Sequence, residues 1–249
     1  MSGHSKWASI KHKKAIVDSR RGKLFTKLGR QITVAAKDGG GDIEGNPSLA
    51  LAVQKAKDAS MPKDNIERAI AKGTGAGADA AAMQDVVYEG YGPGGVAVLV
   101  ETVTDNRNRT GADIRSAFTK SGGNLGEPGS VSYLFEKRGV IVVDGARYRE
   151  DDLMVAVDAG AQDIEADEEM FEIITEPSDL IAVRAALDEA GVELEAAEVT
   201  QRPTTRVDLD EDTMRKLMKL IDVLEDNDDV DEVHANFAAD ADVLERLAD

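Results

Sequence analysis

Residues 139–200 constrain the fold more than any other stretch, because their apolar pattern changes period at regular intervals. GVIVVD (139–144) reads as a strand, Glu150–Ala159 as a helix, and 162–166 and 170–175 as two strands in succession. A helix over Ser178–Ala190 and a strand over Val192–Thr200 complete the series. The order β-α-β-β-α-β is that of the ferredoxin-like split unit.

Upstream, the first 72 residues read as helical. No proline interrupts 9–37, apolar residues recur at Leu24, Leu28, Ile32 and Ala35, and Gly22 is expected to break the segment into two helices. Gly39-Gly40-Gly41 ends that pair. Asn46-Pro47 then has the form of an N-cap followed by proline at the first helical position, opening a helix to about Ser60, and a short helix over Asn65–Lys72 follows Pro62. The small-residue segment 72–82 separates this region from strands at 85–90 and 96–103, which flank the turn YGPGG as a hairpin. A helix is expected over Asn108–Lys120, capped by Asn108 or Thr110, and a strand over 131–136. The tail carries a strand near Arg206–Leu209, a helix over Asp210–Glu225 and a last strand over Val230–Asn236. It is too short to stand alone, so it is expected to return and complete the hairpin unit. The chain therefore reads as α+β. Residues 1–80 form a basic helical domain, 81–131 plus 205–240 a discontinuous α/β domain, and 132–204 a ferredoxin-like α/β domain inserted in it.

Charge is distributed very unevenly. The formal net charge is −18, yet residues 1–37 carry ten Lys/Arg against the single acid Asp18, a net +9. Residues 1–72 hold 15 basic and 7 acidic residues, a net +8, which leaves −26 on the remainder. A cationic front on an anionic body is the pattern of a polyanion-binding element. A merely solvated helix face would be expected to carry neutralising acids at i±4, and these are almost missing.

Other chemistry finds little support. With no cysteine there is no disulfide, thiolate metal site or cysteine nucleophile. The three histidines, His4, His12 and His234, lack zinc-motif spacing, and His234 falls in the last strand as a structural residue. GYGPGG (90–95) joins strand to strand and GGNLGEPG (122–129) runs from helix to strand, whereas a phosphate loop needs strand, loop and then helix. Both read as turns. The acidic groups 150–152 and 225–229 sit at helix ends, the second as a solvated turn. No nucleophile is paired with a base. Neither a catalytic residue nor a cofactor nor a metal is expected. No apolar run approaches the ~20 residues that span a bilayer, the N-terminus has no apolar signal core, and a cytoplasmic location is expected.

Two segments are candidates for nucleic-acid contact. GHSKWASIKHKK (3–14) sets Lys6, Lys11, His12, Lys13 and Lys14 around Trp7, the only tryptophan, which either stacks on a base or anchors the arm. Arg20, Arg21, Lys23, Lys27 and Arg30 extend the same charge along the following helix. The second is Thr104-Asp105-Asn106-Arg107-Asn108-Arg109-Thr110, where capping accounts for Asn and Thr but not for both Arg107 and Arg109.

These residues resemble the YebC family, known also from a mitochondrial translational activator. The matching motifs are GHSKW (3–7), IKHKK (10–14), DSRRGKLFTKLGRQI (18–32), AAKDGG (35–40), MPKDNIERAIAKG (61–73), YEGYGPGGVA (88–97), TDNRNRT (104–110), GGNLGEPGSVSYLF (122–135) and LEDNDDVDEVHAN (224–236). The 138–200 region matches only loosely. The resemblance implies a three-domain, bacterial-type cytoplasmic protein acting in gene expression. Family members are described as DNA-binding probable transcriptional regulators, or as ribosome-associated factors that help translate difficult, notably proline-rich, sequences. The residues lean towards rRNA and the ribosome. There is no helix-turn-helix pair with a polar recognition helix and no heptad for a symmetric dimer, while a short basic arm suits irregular RNA. DNA is the alternative partner.

Overall fold

The computed structural model describes residues 18–75, 83–166 and 170–238, with side chains of the first helix from Lys23 onward. They divide into two compact units, one made of 18–133 with 207–237 and the other of 134–206.

The first unit begins with three helices, α1 (Asp18–Gly39), α2 (Pro47–Asp58) and α3 (Lys63–Thr74). Within the described residues α1 runs through Gly22 without the expected break. A helical glycine costs only about 1 kcal/mol against alanine, and the lysines, arginines and leucines around it are good helix formers. The helix stops at Gly40, whose φ of +87° favours glycine. The cap of α2 is as expected, since the Asn46 side chain accepts from the Leu49 amide and Pro47 opens the helix. Leu28, Ile32, Leu49, Val53, Ala56, Met61 and Ile66 form the core between the three helices. Gly73 lets α3 approach α1, because a Cβ there would lie 2.3 Å from the Thr33 carbonyl oxygen.

The same unit contains the hairpin β1 (Gln84–Tyr91) and β2 (Ala97–Thr104), antiparallel from Gln84↔Thr104 to Tyr91↔Ala97. Its turn uses Gly94 and Gly95 at positive φ. The helix α4 (Arg107–Lys120) and the short strand β3 (Asn124–Leu125) follow. The tail returns as expected, with α7 (Glu211–Glu225) leading into β8 (Val230–Ala235), which pairs antiparallel with β2. The sheet order is β3–β1–β2–β8. As the central strand, β2 is buried along nearly its whole length. Ile114, Ala117 and Phe118 of α4 and Leu217, Leu220 and Ile221 of α7 are buried in this unit.

One expected strand is absent. Ser132–Leu134 is a single 3₁₀ turn, and the strand starts only at Phe135. The cause is Glu89, a buried acid on β1 whose carboxylate accepts the amides of Gly129, Val131 and Ser132 at 2.7–2.8 Å. Those amides are thereby withdrawn from any ladder. Burial pushes the Glu89 carboxyl up, but the three amides outweigh it and hold the group below the ordinary carboxylate range.

The second unit has the expected split order. Its elements are β4 (Phe135–Asp144), a 3₁₀ turn leading into α5 (Met154–Asp158), β5 (Asp163–Ala166), β6 (Met170–Thr175), α6 (Leu180–Glu189) and β7 (Leu194–Pro203). The antiparallel sheet runs β5–β6–β4–β7. Residues 135–144 form one continuous strand where two were expected. Ile141, Val143 and Ile173 on the sheet and Leu153, Ala156, Leu180, Val183 and Leu187 from the helical segments are buried in this unit. No described helix is long and apolar enough to cross a membrane.

Candidate nucleic-acid interface

The sequence-derived candidates separate into three groups. Lys6, Trp7, Lys11, His12, Lys13 and Lys14 lie outside the described residues, and Arg20 and Arg21 are placed only as backbone of α1. Lys23, Lys27 and Arg30 face an internal partner. Arg107 and Arg109 stand at the start of α4, on different sides of it.

The partner of α1 is the acidic segment 225–231, which therefore is not the solvated turn expected. Lys23 lies 3.5 Å from the Asp226 carboxylate, and Lys27 donates to the Glu225 carbonyl at 2.6 Å. Arg30 donates to the Asp228 carbonyl at 2.7 Å and to the Asp229 carboxylate at 2.8 Å, and Gln31 donates to Asp231. Burial depresses the Lys27 ammonium below the ordinary lysine range, against the opposing pull of Glu225, Asp231, Asp228 and Asp226. These acids lie at the far end of the chain, so no search at i±4 could find them.

Asp229 is the centre of this arrangement. Its buried carboxylate accepts from Arg30 on α1, and from Arg109 and the Thr110 hydroxyl on α4, both at 2.7 Å. The Thr104 hydroxyl, at the end of β2, is 2.8 Å from that of Thr110. Burial pushes the Asp229 carboxyl up, and the hydrogen bonds from Arg109, Thr110 and Arg30 with the Arg109 charge hold it low. The Asp229 and Asp105 carboxylates raise Arg109 in turn. The cap of α4 is Asn106, which accepts the Arg109 amide at 3.1 Å, and not Asn108 or Thr110. Thr110 is instead occupied by Asp229, because a buried carboxylate needs donors more than a helix end needs a cap.

The opposite side of α4 is different. A concave groove of about 660 Å³ is lined by Tyr88, Arg107, Asn108, Gly111, Ala112, Arg115, Ser116, Thr119 and Lys120. The α4 positions recur at helical spacing, opposite the buried Ile114 and Phe118. No acid lines the groove, and among the described residues Arg107, Arg115 and Lys120 have no ion-pair partner. The first turn of α4 contributes no acid of its own to this side. Tyr88 closes one side, its hydroxyl donating to the Arg107 carbonyl at 3.0 Å and its ring set against the bare backbone of Gly111. Burial raises the phenol above its ordinary range, so it stays neutral. Arg115 and Lys120 were missed in the sequence because the motif ended at Thr110. Continuing the spacing of Arg107 by eight residues reaches Arg115.

The unit of 134–206 offers a contrast. Its concavity of about 560 Å³ includes Arg138 and Arg202. Arg138 pairs with Glu136 at 2.9 Å and with Glu176, and Arg202 pairs with Glu165. Those charges are already answered within the protein.

Comparison with known proteins agrees with this architecture. Residues 5–76 match the TACO1/YebC protein N-terminal domain, and residues 83–237 match the TACO1/YebC second and third domain. A probable transcriptional regulatory protein of Rubrobacter xylanophilus is 55% identical over 249 residues, covering all of both chains. Another of Beutenbergia cavernae is 56% identical and covers 99% of each. A crystal structure of a conserved hypothetical protein from Aquifex aeolicus superposes with a TM-score of 0.79 at 48% identity, covering 90% of this chain and 93% of that one. The chain belongs to the TACO1/YebC family.

Proposed function

We propose that this protein is a non-enzymatic, nucleic-acid-binding regulator of gene expression, acting on RNA at the ribosome to help synthesis of difficult, proline-rich sequences. The observation that carries nucleic-acid binding is the groove of α4. It sets three cations without ion-pair partners among the described residues, hydroxyl and amide donors and an aromatic side chain on one face of a chain whose net charge is strongly negative. Phosphates would meet Arg107, Arg115 and Lys120, with Asn108, Ser116 and Thr119 as neutral donors. A cationic arm over Lys6, Lys11, Lys13 and Lys14 would add contacts that carry no base information. RNA is favoured because irregular RNA presents phosphates at many angles and unstacked bases for Tyr88 and Trp7. The translational role itself follows from the family resemblance.

A second reading, DNA-binding transcriptional regulation, is favoured by the names of the relatives. Sedimentation of a cell lysate separates the two. Migration with ribosomes that is lost at high salt, and that excess duplex DNA does not displace, is the expected result. Release by duplex DNA, with no ribosomal fraction, would overturn the RNA reading.

A further inference from the structure

The two sheet strands that meet at β2 and β8 carry an arrangement that nucleic-acid binding does not use. Glu101 and Glu232 are register partners, directly opposite each other in the antiparallel ladder. Like charges in that position oppose pairing. The register shifts between Glu101 and Thr102, and a bulge of this kind re-aims a side chain. His234 lies two residues beyond Glu232, hence on the same face, with its side chain only 3% exposed. Its Nε2 is 3.9 Å from a Glu101 oxygen and 3.7 Å from a Glu232 oxygen.

We propose that Glu101, Glu232 and His234 bind a divalent transition-metal ion of the zinc type. The three donor atoms lie within 4.8 Å of one another. Zinc bonds of ~2.0–2.2 Å to imidazole and carboxylate place tetrahedral donors roughly 3.4 Å apart. The two glutamate side chains are 32% and 21% exposed, and closing to that spacing would require them to rotate towards the imidazole. One imidazole with two carboxylates suits zinc, cobalt or nickel better than calcium or magnesium, which take all-oxygen sets. The cation would relieve the opposition of Glu101 and Glu232. Lys55 pairs with the other Glu232 oxygen. Three protein ligands leave a fourth position for water on the exposed side of Glu101. Sequence spacing could not show this site, because its ligands come from two strands far apart in the chain.

The test is titration of the metal-free full chain with Zn²⁺ by calorimetry and with Co²⁺ by its visible absorption. One ion per chain is expected, with Glu101→Gln weakening it at least tenfold while the chain without metal stays folded and unfolds cooperatively. A His4→Gln/His12→Gln variant should retain the ion, and Lys55→Met should tighten it. Absence of saturable binding would overturn the site. Equal affinity in Glu101→Gln, or loss of binding in the His4/His12 variant, would do the same by placing the ion elsewhere.

Discussion

Two basic helices in this protein look alike in a charge count and differ completely in what their charge does. On α1, Lys23, Lys27 and Arg30 are drawn towards Glu225, Asp226, Asp228 and Asp229 and hold the helical segment to the rest of its unit. On α4, Arg107, Arg115 and Lys120 meet no acid among the described residues and line a groove. Net charge per segment therefore reports the field a region would have if isolated, and not the cations it can offer a ligand. The distinction is local even within TDNRNRT, where Arg109 turns to Asp229 and Arg107 to the groove.

This comparison can be broken first at Asp229. Asp229→Ala removes the acceptor shared by Arg30, Arg109 and the Thr110 hydroxyl, and should cost about 2–4 kcal/mol in urea unfolding, the loss being limited by the half-exposed Arg109 and by its remaining pair with Asp105. A loss below about 1 kcal/mol would mean that α1 is not held through this carboxylate. Arg30→Ala should follow with a smaller loss, since it removes one of several donors.

Glu89 gives the pH-dependent case. Its folded pKa is depressed, so its contribution to stability is present above the unfolded pKa and is lost as pH falls through the folded pKa. Wild-type stability should decline through the acid carboxylate range. Glu89→Gln should cost roughly 1–2 kcal/mol at neutral pH and flatten that decline, as followed by thermal unfolding at successive pH values. An unchanged slope would remove the Glu89 clamp on residues 129–132 from the account.

The smallest effect belongs to Lys23. Its pair with Asp226 is exposed at 3.5 Å, and Lys23→Ala should change stability by less than about 0.5 kcal/mol. A larger loss would put the anchoring of α1 at its outer end and not at Arg30.

Local pattern made much of the fold legible. The alternation over 139–200 specified the split sheet, and Asn46-Pro47 marked the start of α2 because capping is a short-range interaction. The expected break at Gly22 and strand at 131–136 failed for different reasons. Neighbouring helix formers outweighed one glycine, and Glu89 captured backbone amides some forty residues away. The site was legible only as composition. Arg30 and the Asp228 carbonyl it meets are 198 residues apart, so nothing near α1 showed that its charge was spoken for. The cationic side of the groove could have been found from the spacing of Arg107, Arg115 and Thr119, since one helix displays it, whereas Tyr88 comes from β1.

The most direct measurement is the salt dependence of single-stranded RNA binding by the full chain and by Arg107→Ala/Arg115→Ala/Lys120→Ala, whose exposed substitutions should leave the unfolding midpoint within about 0.5 kcal/mol. Each phosphate contact contributes roughly 0.7 to the slope of log K against log salt for a single strand. The triple variant is expected to bind roughly ten- to a hundredfold more weakly, with a slope shallower by about 2. An unchanged affinity and slope would contradict the assignment of α4 as the nucleic-acid interface.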